Sequence, residues 1–131
     1  MKDLIIVDFE SLGDPKALAK AKELVIEYMV SHPATIITVL SGNSAISVKD
    51  TRKTLLEYQF PCDVVTCNPL PEGTSQTEFK KMFAERFKVN AASDEVRLVL
   101  VLDSDVEARN IWASAGARFT FDPSSQNLEH T

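Results

Sequence analysis

The sequence predicts a three-layer α/β domain, in which a doubly wound parallel sheet of about five strands carries helices on both faces. Short, unbroken apolar runs are typical of parallel strands that are buried on both sides. Between these runs, apolar residues recur at three- and four-residue steps, as on the buried side of a helix. Because the crossovers between parallel strands are right-handed, this alternation places helices on both faces of the sheet.

The predicted strands are apolar segments that end at polar or turn-forming residues. The clear ones cover residues 4–7, 35–40, 64–65 and 96–102, and a weaker fifth covers residues 118–121. All of them are short enough for strands and too short for buried helices. The sheet is therefore expected to hold about five strands.

The predicted helices carry recognisable end signals. Asp14 is a suitable N-cap with Pro15 at the first helical position, and His32-Pro33 ends that helix. Further helices are predicted over about 47–59, 75–88 and 105–115, with Gly116 closing the last. Their expected inward residues are Val48, Leu55, Tyr58, Phe79, Met82, Phe83, Phe87, Ala108, Ile111, Trp112 and Ala115.

Length and charge limit the possible classes of protein. The 131 residues fit one domain, predicted over 1–123, with a polar C-terminal tail at 124–131. The net charge of −5 argues against a sequence-independent nucleic-acid coat, which needs a basic surface. The sequence does not predict an oligomeric state.

Neither a membrane segment nor a disulfide is expected. No stretch approaches the roughly 20 apolar residues of a membrane span. The apolar run that follows Met1-Lys2-Asp3 is too short for a signal peptide. Cys62 and Cys67 lie too far apart along one strand to bridge, so both are predicted to be free thiols. We therefore expect a cytoplasmic protein that does not bind membranes.

Polar residues follow three of the predicted strands. Asp8 and Glu10 follow the first, Ser41-Gly42 the second, and Asp103-Ser104-Asp105 the fourth. Each segment alone is most often a helix cap or a turn. In open parallel sheets, however, ligands bind at the carboxyl ends of the strands. Carboxylates that converge there repel each other unless a cation lies among them, and an all-oxygen ligand set indicates Mg²⁺.

The order of these elements resembles the haloacid dehalogenase-like phosphohydrolases. The run Ile5-Ile6-Val7-Asp8-Phe9-Glu10-Ser11-Leu12 is similar to the family's hydrophobic-Asp-x-Asp-x-Thr/Val signature. Ser41 matches the family's Ser or Thr after the second strand. Lys80, or alternatively Lys81, matches its Lys near a helix start, and Asp103 matches its acid after the fourth strand, with Glu107 close by.

Two further segments resemble the phosphatase domain of polynucleotide kinase-phosphatases in particular. One is the Ile111-Trp112 pair of the fourth predicted helix, whose Ala-Gly end is similar to that of the superfamily's typical helix. The other is the run Asp50-Thr51-Arg52-Lys53-Thr54-Leu55-Leu56 after Ser41-Gly42. The resemblance extends in order over nearly the whole chain and implies a capless member of the superfamily with a Rossmann-like sheet.

The resemblance implies a magnesium-dependent phosphatase that acts on phosphomonoesters, including polynucleotide 3′-phosphates, through an aspartyl-phosphate intermediate. Asp8 would be the nucleophile and Glu10 the general acid and base. Phosphoryl oxygens would be bound by Ser41, Gly42, Lys80 and Lys81. Mg²⁺ would be held by Asp8, Asp103 and the main-chain carbonyl of Glu10, with Glu107 nearby. The implied partner is a phosphorylated substrate such as a nucleic-acid end.

The sequence also departs from the family pattern. Glu10 stands where the family usually has Asp, Leu12 stands where it has Thr or Val, and residues 10–14 leave no room for a cap domain. A second hypothesis is therefore a member without turnover that acts as a binding module. A third, a signalling receiver-like domain, is disfavoured because Thr66-Cys67-Asn68 provides no Asp after the third strand.

Overall fold

Strands and helices alternate regularly along the chain. The structure, a computed structural model, describes residues 2–42, 47–69, 75–93 (with side chains as far as 87) and 96–125. The elements in this part of the chain are β1 (Lys2–Asp8), α1 (Pro15–Ser31), β2 (Ile36–Ser41), α2 (Val48–Glu57), β3 (Val64–Cys67), α3 (Gln76–Ser93), β4 (Val96–Leu102), α4 (Val106–Ser114) and β5 (Phe119–Phe121). A 3-10 helix at Phe9–Gly13 connects β1 to α1.

The strands form one parallel sheet in the order β3-β2-β1-β4-β5. The chain therefore runs from β1 outward to β3, and then returns past β1 to build the other half. This is the doubly wound arrangement that the alternating pattern predicts. The predicted fold class is confirmed.

The sheet separates two apolar cores, since successive side chains of a strand point to opposite faces. Ile5 and Val7 of β1 pack with Val25 of α1 and Leu55 of α2 in one core. Leu4 and Ile6 pack in the other, with Phe79 of α3 and Trp112 of α4. Burial on both faces explains why β1 reads as an unbroken apolar run.

The helix ends follow the capping signals. Asp14 accepts a hydrogen bond from the Ala17 main-chain N–H at the start of α1, and Asp105 does the same for Ala108 at the start of α4. Gly116, just after α4, has φ +106°, a conformation that glycine adopts easily. The predicted closure of α4 is confirmed.

The inward face of α2 differs from the prediction. Leu55 is buried, but Val48 is 42% exposed and Tyr58 only half-buried. Thr51, four residues before Leu55, is buried in their place and donates its hydroxyl to the Ser47 carbonyl oxygen. That hydrogen bond lets a polar side chain lie against the core. The 3-10 helix at Phe9–Gly13 was not predicted either.

The remaining sequence-based expectations concern the C-terminal tail, the domain limits, membrane-spanning helices and the two cysteines. The predicted tail at 124–131 lies outside the described residues from position 126 onward, and the predicted domain limits of 1–123 stay a prediction. Among the described helices, none combines the length and the apolar character that crossing a membrane would require. Cys62 and Cys67 are free and partly buried, as expected.

Candidate functional site

The carboxyl ends of the three central strands lie side by side. Asp8 is level with Leu40 of β2, and Val7 is level with Leu102 of β4. Ser41 and Asp103, one residue further along, therefore flank Asp8 on either side. This register brings together polar residues that lie far apart in the sequence.

A buried lysine joins two of these strand ends. Lys80 Nζ, from the first turns of α3, lies 2.7 Å from Asp103 Oδ2 and 3.0 Å from Asp8 Oδ1. All three side chains are nearly inaccessible, and Lys80 is 2% exposed. One ammonium group thus serves two carboxylates, which leaves the cluster with a net negative charge.

Asp8 is held in place through its second carboxylate oxygen. Oδ2 accepts hydrogen bonds from the Ser11 main-chain N–H at 3.0 Å and from Ser11 Oγ at 2.5 Å. Ser11 Oγ also lies 2.9 Å from Ser104 Oγ and accepts the Ser104 main-chain N–H. The 3-10 helix after β1 and the loop after β4 are connected in this way, and the Asp8 carboxylate has a fixed orientation.

The other Asp8 oxygen is less well satisfied. Oδ1 is buried and, among the described residues, its partner is the Lys80 ammonium, which lies 3.0 Å away and compensates its charge. The Asp8 Oδ1 atom is therefore held by fewer contacts than Oδ2, and its partner is a cation.

The described residues contain no group of three His, Cys, Asp or Glu side chains that could hold a metal ion by themselves. Mg²⁺ usually retains several waters and takes only one or two protein carboxylates. Asp8 and Asp103 provide two such groups, and this donor chemistry suits Mg²⁺. Lys80 bridges the two carboxylates in this structure, so a metal ion would have to share or displace that contact.

Glu10 reaches across to the end of β2. Its Oε2 accepts a hydrogen bond from Ser41 Oγ and its Oε1 accepts one from the Gly42 main-chain N–H, both at 2.9 Å. Ser41 is fully buried. The Glu10 carboxylate therefore accepts hydrogen bonds from the same two groups, Ser41 Oγ and the Gly42 N–H, that were predicted to bind phosphoryl oxygens.

Neighbouring side chains fix the position of Gly42. Asn68 Nδ2, after β3, donates to the Gly42 carbonyl oxygen at 3.1 Å. A Cβ atom on Gly42 would lie only 2.6 Å from Gln76 Cγ, at the start of α3. A methyl group at position 42 would therefore require the exposed Gln76 side chain to shift.

The electrostatics follow from burial and from shared charges. Burial raises the pKa of Asp103 to about 6, and the Asp8 charge adds to this effect. Burial also raises the pKa of Glu10 above its usual range, against the opposing effect of the Gly42 hydrogen bond. Burial alone would lower the pKa of Lys80, but the charges of Asp8 and Asp103 raise it, so that Lys80 stays cationic.

Two residues predicted for the site lie elsewhere. Lys81 and Glu107 are exposed, and both line a cavity of about 350 Å³ between α3 and α4. Adjacent residues of a helix point about 100° apart, so Lys80 and Lys81 cannot both face the strand ends. The structure brings Asp8, Glu10, Ser41, Gly42, Lys80 and Asp103 together, and it selects Lys80 over its neighbour.

Sequence reasoning missed several residues that orient the cluster. Ser11 and Ser104 position Asp8, and Arg109 Nη1 donates to the Asp103 carbonyl oxygen at 2.9 Å. The only signal for Ser11 was its place three residues after Asp8, where an N-cap carboxylate finds a main-chain N–H. No sequence signal indicated that Ser104 or Arg109 would contact these particular partners.

Comparison with known proteins gives a structural neighbour but no sequence family. No protein-family model and no curated protein matches the chain. Among solved structures, the chain is similar to a chain of the Pnkp1/Rnl/Hen1 RNA repair complex, with a TM-score of 0.62 and 15% sequence identity. The alignment covers 92% of this protein but only 42% of that chain. At this identity the similarity establishes a shared fold.

Proposed function

We propose that the protein is a magnesium-dependent phosphatase that forms a phosphoryl intermediate on Asp8. The observation that carries this proposal is Asp8 itself: a buried carboxylate with one oxygen held by Ser11 and the other, Oδ1, paired with the Lys80 ammonium. Its position at the carboxyl end of the central strand is where open α/β sheets bind their ligands.

The proposed reaction divides one displacement into two steps. Asp8 Oδ1 attacks phosphorus, the bond to the ester oxygen breaks, and the leaving alkoxide takes a proton. Water then attacks the same phosphorus and loses a proton, which releases inorganic phosphate and restores the Asp8 carboxylate. Lys80, 3.0 Å from Oδ1, holds Asp8 and offsets negative charge that develops beside it.

Glu10 is the proposed proton donor and acceptor. Burial raises the pKa of its carboxyl group, which brings the group closer to the range suited to general acid catalysis near neutral pH. Mg²⁺ would be held by Asp8, Asp103 and the main-chain carbonyl of Glu10, and it would offset charge between the carboxylate and the phosphate. Ser41 and Gly42 would donate hydrogen bonds to phosphoryl oxygens.

The proposed substrates are phosphorylated nucleic-acid ends, such as 3′-phosphorylated oligonucleotides. Two facts support this choice. The sequence resembles the phosphatase domain of polynucleotide kinase-phosphatases, and the structural neighbour belongs to an RNA repair complex. The short connection at residues 10–14 also provides no cap domain, which favours large substrates over small enclosed ones.

A second candidate is a binding module without turnover. The observation that favours it is the Glu10 carboxylate, which is bound to Ser41 and Gly42 where a substrate phosphate would have to lie. In that case the fold would keep its strand-end cluster for binding a partner. The two candidates differ in whether phosphate is ever released.

The test is phosphate release from a panel of phosphomonoesters that includes a 3′-phosphorylated oligonucleotide, with and without Mg²⁺. We expect magnesium-dependent release that Asp8→Asn abolishes. The matched control is Asp50→Asn, which changes an exposed carboxylate in the first turn of α2 and should leave release unchanged. If the folded wild-type protein releases no phosphate from any substrate, the phosphatase proposal is wrong and the binding module is the better account.

A further inference from the structure

The contact between Glu10 and the end of β2 has the form of an anion-binding site that is already filled. Two donors, the Ser41 hydroxyl and the Gly42 N–H, each lie 2.9 Å from a separate oxygen of one carboxylate. Hydrogen bonds to an ionised acceptor are stronger than those between neutral groups. A phosphoryl group presents oxygens to such donors in the same way as a carboxylate.

We infer that the Glu10 carboxylate is an internal competitor that occupies the phosphoryl-oxygen subsite formed by Ser41 Oγ and the Gly42 N–H. An incoming phosphate would have to displace it before binding. The inference rests on the proposed function in one respect, namely that the ligand of this subsite is a phosphoryl group.

The two donors are buried and held by their surroundings. Ser41 is fully buried at the end of β2. Gly42 is also buried, and Asn68 donates to its carbonyl oxygen. Buried donors that lose their partner are costly. When Glu10 moves away, the donors therefore require another acceptor, and an oxyanion satisfies both.

The length of the Glu10 side chain matters to this arrangement. Its carboxylate spans from the 3-10 helix after β1 to the end of β2. Aspartate at position 10 would carry the same charge on a side chain one methylene shorter, so that its carboxylate would lose the reach to both donors. Charge and reach can therefore be separated by two substitutions, Glu10→Asp and Glu10→Gln.

The strength of this competition can be measured from the dissociation constant for phosphate. When only a fraction of the molecules has a free subsite, the apparent dissociation constant is the intrinsic one divided by that fraction. If Glu10 occupies the subsite about 90% of the time, its removal tightens phosphate binding about tenfold. Glu10→Asp should show this gain even though the charge of the protein is unchanged.

The experiment is isothermal titration of inorganic phosphate into the wild type, Glu10→Asp and Glu10→Gln. The control is Glu57→Asp, the same change at an exposed position at the end of α2. We expect Glu10→Asp to bind at least about tenfold more tightly than the wild type, and Glu57→Asp to match the wild type. Adding Ser41→Ala to Glu10→Asp should remove the gain. The Gly42 amide resonance, which should shift with phosphate in Glu10→Asp, provides a second readout if the double variant does not fold.

Two results would overturn the inference. One is a Glu10→Asp variant that is folded but binds phosphate no more tightly than the wild type. The other is a gain confined to Glu10→Gln, since that would reflect loss of a negative charge. Phosphate release, measured separately, tests the proposed function. Tighter phosphate binding by Glu10→Asp without any phosphate release supports only the inference that Glu10 competes for the subsite. Phosphate release without tighter binding by Glu10→Asp supports only the phosphatase proposal.

Discussion

The ammonium group of Lys80 lies 2.7 Å from Asp103 Oδ2, in a position where neither side chain has appreciable contact with solvent. Asp8 shares the same ammonium group at 3.0 Å. The three side chains come from α3, from the loop after β4 and from the end of β1. Their mutual charge compensation therefore couples the site to the packing of α3 against the sheet.

Replacing Lys80 with Met should strongly destabilise the fold. The change leaves two buried carboxylates without a counter-ion, and the loss of one partner from a buried ion pair typically costs about 3–5 kcal/mol. Chemical denaturation at pH 7 measures this cost. Lys81→Met is the matched control because Lys81 is the exposed neighbour on the same helix, and its effect should stay within about 0.5 kcal/mol.

The cost of Lys80→Met should shrink as the pH falls. Asp103 has a folded-state pKa of about 6, above its ordinary value of 3.8, so the folded state binds this proton more tightly than the unfolded state does. Loss of the Lys80 charge raises the pKa of Asp103 in the variant above this value, so protonation as the pH falls from 7 toward 6 already removes charge from the unpaired carboxylates. Equal destabilisation at pH 7 and pH 4.5 would contradict this account of the cluster.

Magnesium should raise the thermal stability of the wild-type protein if Asp8 and Asp103 hold it as proposed. A ligand at ten times its dissociation constant stabilises the folded state by about 1.4 kcal/mol, which corresponds to a rise in Tm of about 5 °C for a domain of this size. Differential scanning calorimetry at constant ionic strength measures the shift. Asp8→Asn should abolish it and Asp50→Asn should preserve it, whereas an identical shift in all three proteins would indicate non-specific binding.

The close packing at Gly42 predicts a coupled pair of substitutions. A Cβ at position 42 would lie 2.6 Å from Gln76 Cγ and 2.9 Å from Gln76 Cδ. Because the Gln76 side chain is exposed and can shift, Gly42→Ala should destabilise the protein by only about 0.5–1 kcal/mol. Gln76→Ala removes both of these atoms, so the double variant should recover part of the loss. A double-mutant cycle by urea denaturation measures the coupling, and strictly additive effects would rule out the steric explanation.

The sheet could be predicted from sequence because parallel strands that are buried on both faces must be apolar throughout. Trp112 was correctly assigned to the core, since it lies one turn from Ala108 on the apolar side of α4. The predicted inward face of α2 was wrong in part, because Thr51 is buried with its hydroxyl bonded to a main-chain carbonyl oxygen. A propensity argument places such a residue at the surface.

The site could be predicted as a set of strand-end residues but not as a set of contacts. Register alone brings Asp8, Ser41 and Asp103 together. Side-chain direction decides the rest: Lys80 faces the cluster and Lys81 does not, and Glu10 turns toward Ser41. Neither direction follows from residue type or spacing, because each depends on how α3 and the 3-10 helix pack in three dimensions.

A second, partly buried cluster, at the opposite end of β1, predicts a pH-dependent contribution to stability. Tyr28 of α1 donates its hydroxyl to Asp3 Oδ2, and Arg97 of β4 forms an ion pair with Asp3 Oδ1 at 2.8 Å. Asp3 is 6% exposed. The Tyr28 hydrogen bond, together with Arg97 and against the effect of burial, lowers the pKa of Asp3 below its ordinary value of 3.8.

Tyr28→Phe should therefore cost about 1.5–3 kcal/mol at pH 7, the usual worth of a hydrogen bond to a charged group. A lowered folded-state pKa contributes stability that is fully present above the unfolded-state pKa and is lost as the pH falls through the folded-state value. The difference between the wild type and Tyr28→Phe should accordingly be constant from pH 7 to 5 and should shrink below about pH 4. Urea denaturation across this pH range measures the difference.

Tyr58→Phe is the control, since the Tyr58 hydroxyl makes no hydrogen bond to a described residue. This variant should show neither the loss of stability nor the pH dependence. A loss in Tyr28→Phe that persists unchanged at a pH below the folded-state pKa of Asp3 would mean that the Tyr28 hydroxyl stabilises the fold by something other than its bond to the ionised Asp3.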